Sequence, residues 1–149
     1  MSASDAFESD ILKLIFNNTS IANIGDVTGV VGSTGVGSLF IALHTADPTD
    51  TGNQSTNEAT YTGYARIAVA RTGAAWSVTG TTPTQVANVA AVTFGLCTAV
   101  PNTLTHFSIG YQTSGANKIV VSGVLNASLA VSAGITPSFA IGTLVATCD

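Results

Sequence analysis

The chain has 149 residues, enough for one domain to bury most of the surface its unfolded form exposes. Only 8% of the residues are charged, against roughly 25% in an average globular protein, and the formal net charge is −4. Four basic residues, Lys13, Arg66, Arg71 and Lys118, fall short of the clustered cations that a nucleic-acid binder needs. Gly, Ser, Thr or Asn also interrupts every apolar stretch before the ~18 residues of a membrane span. The expected partners therefore include neither nucleic acid nor membrane. The acidic opening MSASDAFESD lacks the basic start and apolar run of a signal peptide, so a soluble chain is expected.

The first predicted element is a helix over Asp5–Phe16. Asp5 with Glu8 three residues on resembles a capping box, Lys13 sits where a helix C-terminus favours a cation, and Asn17-Asn18 ends the element. Phe7, Ile11, Leu14 and Ile15 fall at i, i+4, i+7 and i+8, which predicts an apolar stripe. That stripe must dock, either on the chain's own β-domain or on a neighbouring subunit. Ile21–Gly37 carries five glycines and reads as a flexible or extended arm, with a short strand pair around Val27–Val31.

From Ser38 onward the pattern has period two. Strands are predicted at Leu39–His44, Tyr64–Arg71, Trp76–Thr79, Asn88–Phe94, Leu104–Tyr111, Lys118–Leu125, Ser128–Ser132 and Ser138–Thr147. Turn signals at Asp47-Pro48, Thr82-Pro83, Pro101-Asn102, Ser114-Gly115 and Thr136-Pro137 separate them. Eight short strands without intervening helices predict an all-β fold, an antiparallel β-sandwich or jelly roll preceded by a short helix and an arm. The expected division is residues 1–37 for helix and arm and 38–149 for the sandwich. One-sided burial is expected in Leu104–Tyr111, with Phe107 and Ile109 inward and His106 and Ser108 on the other face.

Chemistry-bearing residues are sparse. A hydrolytic reading pairs His44 or His106 with Ser108 or Asp47, but no spacing supplies a base oriented by a third group, so no catalytic residue is expected. Asp47, Asp50 and Glu58 share one loop but miss the ligand register of a calcium loop. Asp47 is instead expected to cap the turn that Pro48 pre-sets. Neither glycine run carries a Walker lysine, and no metal or cofactor is expected. Arg66 and Arg71, five apart, project to opposite faces, so at most one meets those carboxylates. Cys97 and Cys148 form no zinc motif and are read either as two free thiols or as one bridge. Tyr61 and Tyr64 flank Gly63 and are the nearest approach to an aromatic glycan platform.

The order of motifs along the chain resembles small structural proteins of tailed-phage virions. LFIALHTADP (Leu39–Pro48) leads through a polar loop to GYAR (Gly63–Arg66), then VAAVTF (Val89–Phe94). LTHFSIGYQTSGANKIVVSGVL (Leu104–Leu125) and a closing PSFAIGTLVATCD (Pro137–Asp149) follow. Two departures are the length of Ile21–Gly37 and Tyr61-Thr62-Gly63 where the family often has a glycine run. The resemblance implies a virion component, assembled in the host cytoplasm, that is not an enzyme. Its first implied role is a trimeric capsid decoration or cement protein binding the major capsid protein or other virion proteins. A tail-fibre or baseplate subunit is the alternative, and a free carbohydrate-binding module the third reading. The residues expected to meet partners are Phe7, Ile11, Leu14 and Ile15 of the helix, with Asp47, Asp50, Tyr61 and Tyr64 of the loop.

Overall fold

The computed structural model describes residues 3–80 and 83–148. Met1, Ser2, Thr81, Thr82 and Asp149 lie outside the described residues, and with them half of the expected Thr82-Pro83 turn and both extreme ends of the expected divisions. The elements are α1 (Asp5–Asn17), β1 (Ser38–His44), β2 (Ile67–Ala70), β3 (Trp76–Thr79), β4 (Thr84–Asn88), β5 (Val92–Thr93), β6 (Asn102–Gly110), β7 (Ile119–Val131), β8 (Ser138–Phe139) and β9 (Val145–Cys148). The strands form a sheet of order β2-β1-β6-β7, a sheet of order β3-β4-β9, and the pair β5-β8. This is the all-β class with a short N-terminal helix that the period-two pattern predicts, and every resolved register is antiparallel. Among the described residues no helix is long and apolar enough to cross a membrane.

The chain gathers into two compact units that cut it differently from a split at residue 37. One combines residues 1–37, 70–91 and 139–149; the other combines 38–69 and 92–138. In the first, α1 packs against β3 and β4. Its N-cap is Ser4, one residue before the expected Asp5, with the Phe7 N–H donating to Ser4 Oγ at 3.4 Å. Its C-cap is Asn18, held in the left-handed region (φ 56°) that Asn tolerates.

The buried stripe of α1 is Glu8, Leu12 and Phe16. Phe16 meets Trp76 edge-to-face at 5.0 Å, and both are sealed from solvent with Val86 and Leu144. The predicted stripe lies about a third of a turn away: Phe7 is 43% exposed, and Ile11, Leu14 and Ile15 are half-buried.

The glycine-rich arm folds back on itself through a bridge between Ile21 and Val30. Asn18 Nδ2 donates to the Ser33 carbonyl at 2.8 Å and Asn18 Oδ1 accepts from the Ser33 N–H at 2.7 Å. Gly29 (φ +68°) runs so close to the Ile21 carbonyl that a Cβ has no room. Arg71 binds the end of the helix, donating from Nε to the Ile15 carbonyl and from Nη2 to the Leu14 carbonyl, each at 2.6 Å. A cation there satisfies two carbonyls that the helix leaves orphaned. The expected strand pair is thus a single bridge inside a pinned loop.

Strand boundaries depart from the sequence reading where a side chain bonds backbone. Asn88 donates from Nδ2 to the carbonyls of Ala90 (2.7 Å) and Ala140 (2.8 Å), and its Oδ1 accepts from the Leu144 N–H. Those bonds end β4 at Asn88 rather than letting a strand run to Phe94. The predicted Ser138–Thr147 strand is likewise broken, with a turn closed by the Thr143 N–H on the Ala140 carbonyl. The two strands predicted over Lys118–Leu125 and Ser128–Ser132 are one, β7, with a register irregularity where Leu104↔Leu129 gives way to His106↔Val124.

Candidate functional site

β1 and β6 lie side by side with His44 opposite His106, Leu43 opposite Phe107 and Ala42 opposite Ser108. Leu39, Ile41 and Leu43 are buried together with Phe107 and Ile109, which lie opposite Leu43 and Ile41, as the alternation predicts. The other face was expected to be open. Instead Ala42, His44 and Ser108 are fully buried, so one-sided burial fails at this end of the sheet. The loops around residues 53–58 and 112–117 close over that face, and polar side chains fill the space beneath them.

Arg66 is the hub. Its side chain is 1% exposed and pairs with Glu58 through Nε–Oε1 at 2.6 Å and Nη2–Oε2 at 2.7 Å. A planar guanidinium matches a carboxylate in this two-pronged way, which a lysine cannot reproduce. The remaining donors reach Gln54 Oε1 (3.2 Å), Ser55 Oγ (3.3 Å), and the carbonyls of Gln112 (3.2 Å) and Gly115 (2.8 Å). One buried cation therefore ties two loops, far apart in sequence, to each other. Buried Gln54 donates to the Phe40 carbonyl at 2.8 Å, and its amide occupies the space that a side chain at Gly110 would need.

Tyr64 and His44 complete the network. The Tyr64 hydroxyl donates to Glu58 Oε1 at 3.0 Å and accepts from the Leu43 N–H at 3.1 Å. His44 Nδ1 lies 2.8 Å from the Thr56 carbonyl, which can only accept, so Nδ1 carries the proton. Nε2 then accepts from Ser108 Oγ at 2.7 Å. A serine hydroxyl on an imidazole resembles a nucleophile and its base, yet both residues are 0% exposed. The imidazole is oriented by a backbone carbonyl. In this setting the pair satisfies buried polar groups that would be costly unpaired.

Titration follows from burial. Desolvation lowers the His44 pKa, outweighing the Thr56 carbonyl and Glu58, which favour the cation, while Arg66 and His106 act in the same direction as burial. Desolvation raises the Tyr64 pKa, with Glu58 adding to the shift. Burial, and then the Cys97 thiol, push Tyr61 up to about 12. Glu58 raises Arg66.

A histidine depressed in the fold binds fewer protons than in the unfolded chain. Its stabilisation is therefore present above the ordinary value of 6.5 and lost as pH falls below it. A tyrosine raised in the fold does the reverse, and its stabilisation is lost as pH rises above 10. We expect the urea midpoint to hold between those limits and fall on both sides. His44→Gln should flatten the onset of the acid limb and Tyr64→Phe that of the alkaline limb. A midpoint that His44→Gln leaves equally sensitive between pH 6.5 and 5 would rule His44 out as the cause.

The expected partner-binding residues fall into three settings. Phe7, Ile11, Leu14 and Ile15 lie on α1 outside its buried stripe, as described above. Asp47 and Asp50 are exposed, and Asp47 does cap its turn, Oδ1 accepting from the Thr49 N–H at 2.8 Å. Tyr61 and Tyr64 belong to the interior: Tyr61 is 2% exposed, Tyr64 is half-buried, and their rings meet edge-to-face at 5.4 Å. Tyr61 donates to the Gly95 carbonyl at 3.1 Å, so the pair offers no open aromatic platform to a glycan. Burial of two large rings contributes more than their exposure would, which corrects the reading of them as surface contacts.

The sequence reading missed Gln54; of the three loop carboxylates it offered to the arginines, Glu58 is the one that Arg66 takes. The available signal was Arg66 itself, a rare cation in a charge-poor chain, with Asp47, Asp50 and Glu58 in the loop before it. Arg71 goes to α1 instead, so the two arginines do diverge. Cys97 and Cys148 are both free, Cys97 buried and Cys148 half-buried. Among the described residues no group of three or more His, Cys, Asp or Glu is placed to hold a metal.

Comparison with curated proteins returns no match. The chain does match, over residues 2–147, the profile of a family described as "Podophage GP4 fiber I protein gp80". A match of that extent takes in α1, the polar hub and every strand up to the last residues of β9, so this chain belongs to that family, a family of phage virion structural proteins.

Proposed function

We propose that this protein is a non-enzymatic structural subunit of the tail-fibre apparatus of a podophage. The observation that carries the reading is the family match over residues 2–147, whose description names a fibre protein. The geometry agrees with a structural role. The constellation most like catalytic machinery, His44 with Ser108, is sealed from solvent, and its polar partners serve to hold loops. A charge-poor chain also suits a protein whose surface is covered by neighbours, since charge is depleted in the cores of interfaces. Its partners on this reading are other virion proteins.

The capsid-decoration role draws on the same charge-poor surface and the same order of motifs. The word fibre in the family description tips the balance to the tail. Electron microscopy of purified virions labelled with antibody–gold against this chain tests the choice. Label confined to the tail is the expected result. Label scattered over the head would replace the fibre reading with the cement reading. Purified particles that carry no label at all would overturn both.

A further inference from the structure

Among the described residues β7 (Ile119–Val131) is the longest strand and ends its sheet, with β6 on one side and no strand on the other. Such an edge presents a row of unpaired N–H and C=O groups, and soluble proteins usually guard it with charge, proline or a short length. Here the guards are missing where the ladder is regular. Ile119–Val124 reads IVVSGV, with no charge and no proline. Its register against β6 is unbroken from Ile109↔Val121 to His106↔Val124. β7 is irregular on both sides of that run, after Val124 and again between Ile119 and Val121, where Gly110↔Ile119 is out of step with Ile109↔Val121. Ser122 is exposed, Val124 is 69% exposed, and Val121 and Gly123 are half-buried.

We infer that the Val121–Val124 edge pairs with the same edge of a second copy of this chain, antiparallel about a two-fold axis near Ser122, joining two four-stranded sheets into one. Two observations favour a second copy over another strand. The whole of β7 is uncharged, so a copy sets no like charges opposite one another, whereas a charged partner strand finds no counter-charge. The nearest charge, Lys118, lies four residues from the axis. The two Lys118 residues of a pair would then sit roughly 26 Å apart along the strands, well beyond the screening length at ordinary salt.

The small side chains at the axis, Ser122 beside Gly123, let the two strands approach, and the facing serine hydroxyls can hydrogen-bond across it. Because the contact is isologous it closes at two copies. It holds whether the protein sits on the tail or the head.

Sedimentation velocity of the full chain tests this directly. The unaltered protein should form a dimer. Ser122→Lys places two ammonium groups opposite each other at the axis and should raise the dimer dissociation constant about tenfold or more, with far-UV circular dichroism unchanged because Ser122 is exposed. Ser122→Glu should do the same alone, and mixing the Lys and Glu chains should restore the dimer, a rescue that misfolding would not give. A monomeric unaltered chain, a closed trimer, or a dimer indifferent to both substitutions would each overturn the inference.

Discussion

Replacing Arg66 with alanine should cost about 3 kcal/mol or more of unfolding free energy. Breaking a buried pair leaves its other charge uncompensated, with typical losses of about 3–5 kcal/mol. Arg66 is nearly sealed and Glu58 retains some exposure, which places the expectation toward the lower end. The substitution also strips donors from Gln54, Ser55 and the carbonyls of Gln112 and Gly115, so the 53–58 and 112–117 loops should lose protection from hydrogen exchange together. Removing both charges, with Arg66→Met and Glu58→Gln in one chain, should cost less than Arg66→Ala alone, because no stranded carboxylate remains. Guanidinium unfolding of the unaltered chain and the two variants measures this. A loss from Arg66→Ala below about 1 kcal/mol, the scale of a surface pair, would show that the hub does not hold these loops.

Phe16→Ala should cost about 3–5 kcal/mol, the range for emptying a core aromatic position, because Phe16 is 0% exposed and packs on Trp76. The lost edge-to-face contact adds about 0.5–1.5 kcal/mol within that range. Phe7→Ala, nine residues earlier on the same helix, should stay within about 1 kcal/mol, since Phe7 already faces solvent. The comparison separates the observed stripe of Glu8, Leu12 and Phe16 from the stripe of Phe7, Ile11, Leu14 and Ile15 that periodicity picks out. Equal losses from the two substitutions would mean that α1 docks by the face that hydrophobicity alone selects.

That stripe shows where local pattern stops informing. Helical spacing marks α1 as amphipathic whichever of two neighbouring stripes is chosen, because Phe7, Ile11, Leu12, Leu14, Ile15 and Phe16 span more of the circumference than one contact needs. The choice falls to Trp76, which lies sixty residues on and receives Phe16. β4 escaped notice for a related reason. Its buried positions, Thr84, Val86 and Asn88, include two polar residues, so hydrophobic alternation undercounts it.

The sequence by itself determined the antiparallel all-β class, the helix at the start, the strands β1, β3 and β6 to within a residue or two, and the Asp47 cap. These depend on period and on turn chemistry, both written in neighbouring residues. Only the tertiary structure decided that Arg66 takes Glu58 while Arg71 takes the end of α1, that His44 and Ser108 are sealed together, that Tyr61 and Tyr64 turn inward, and that β7 is left as an edge. Each of these is fixed by a partner tens of residues away, and a one-dimensional pattern holds no record of which distant groups will share a low-dielectric interior.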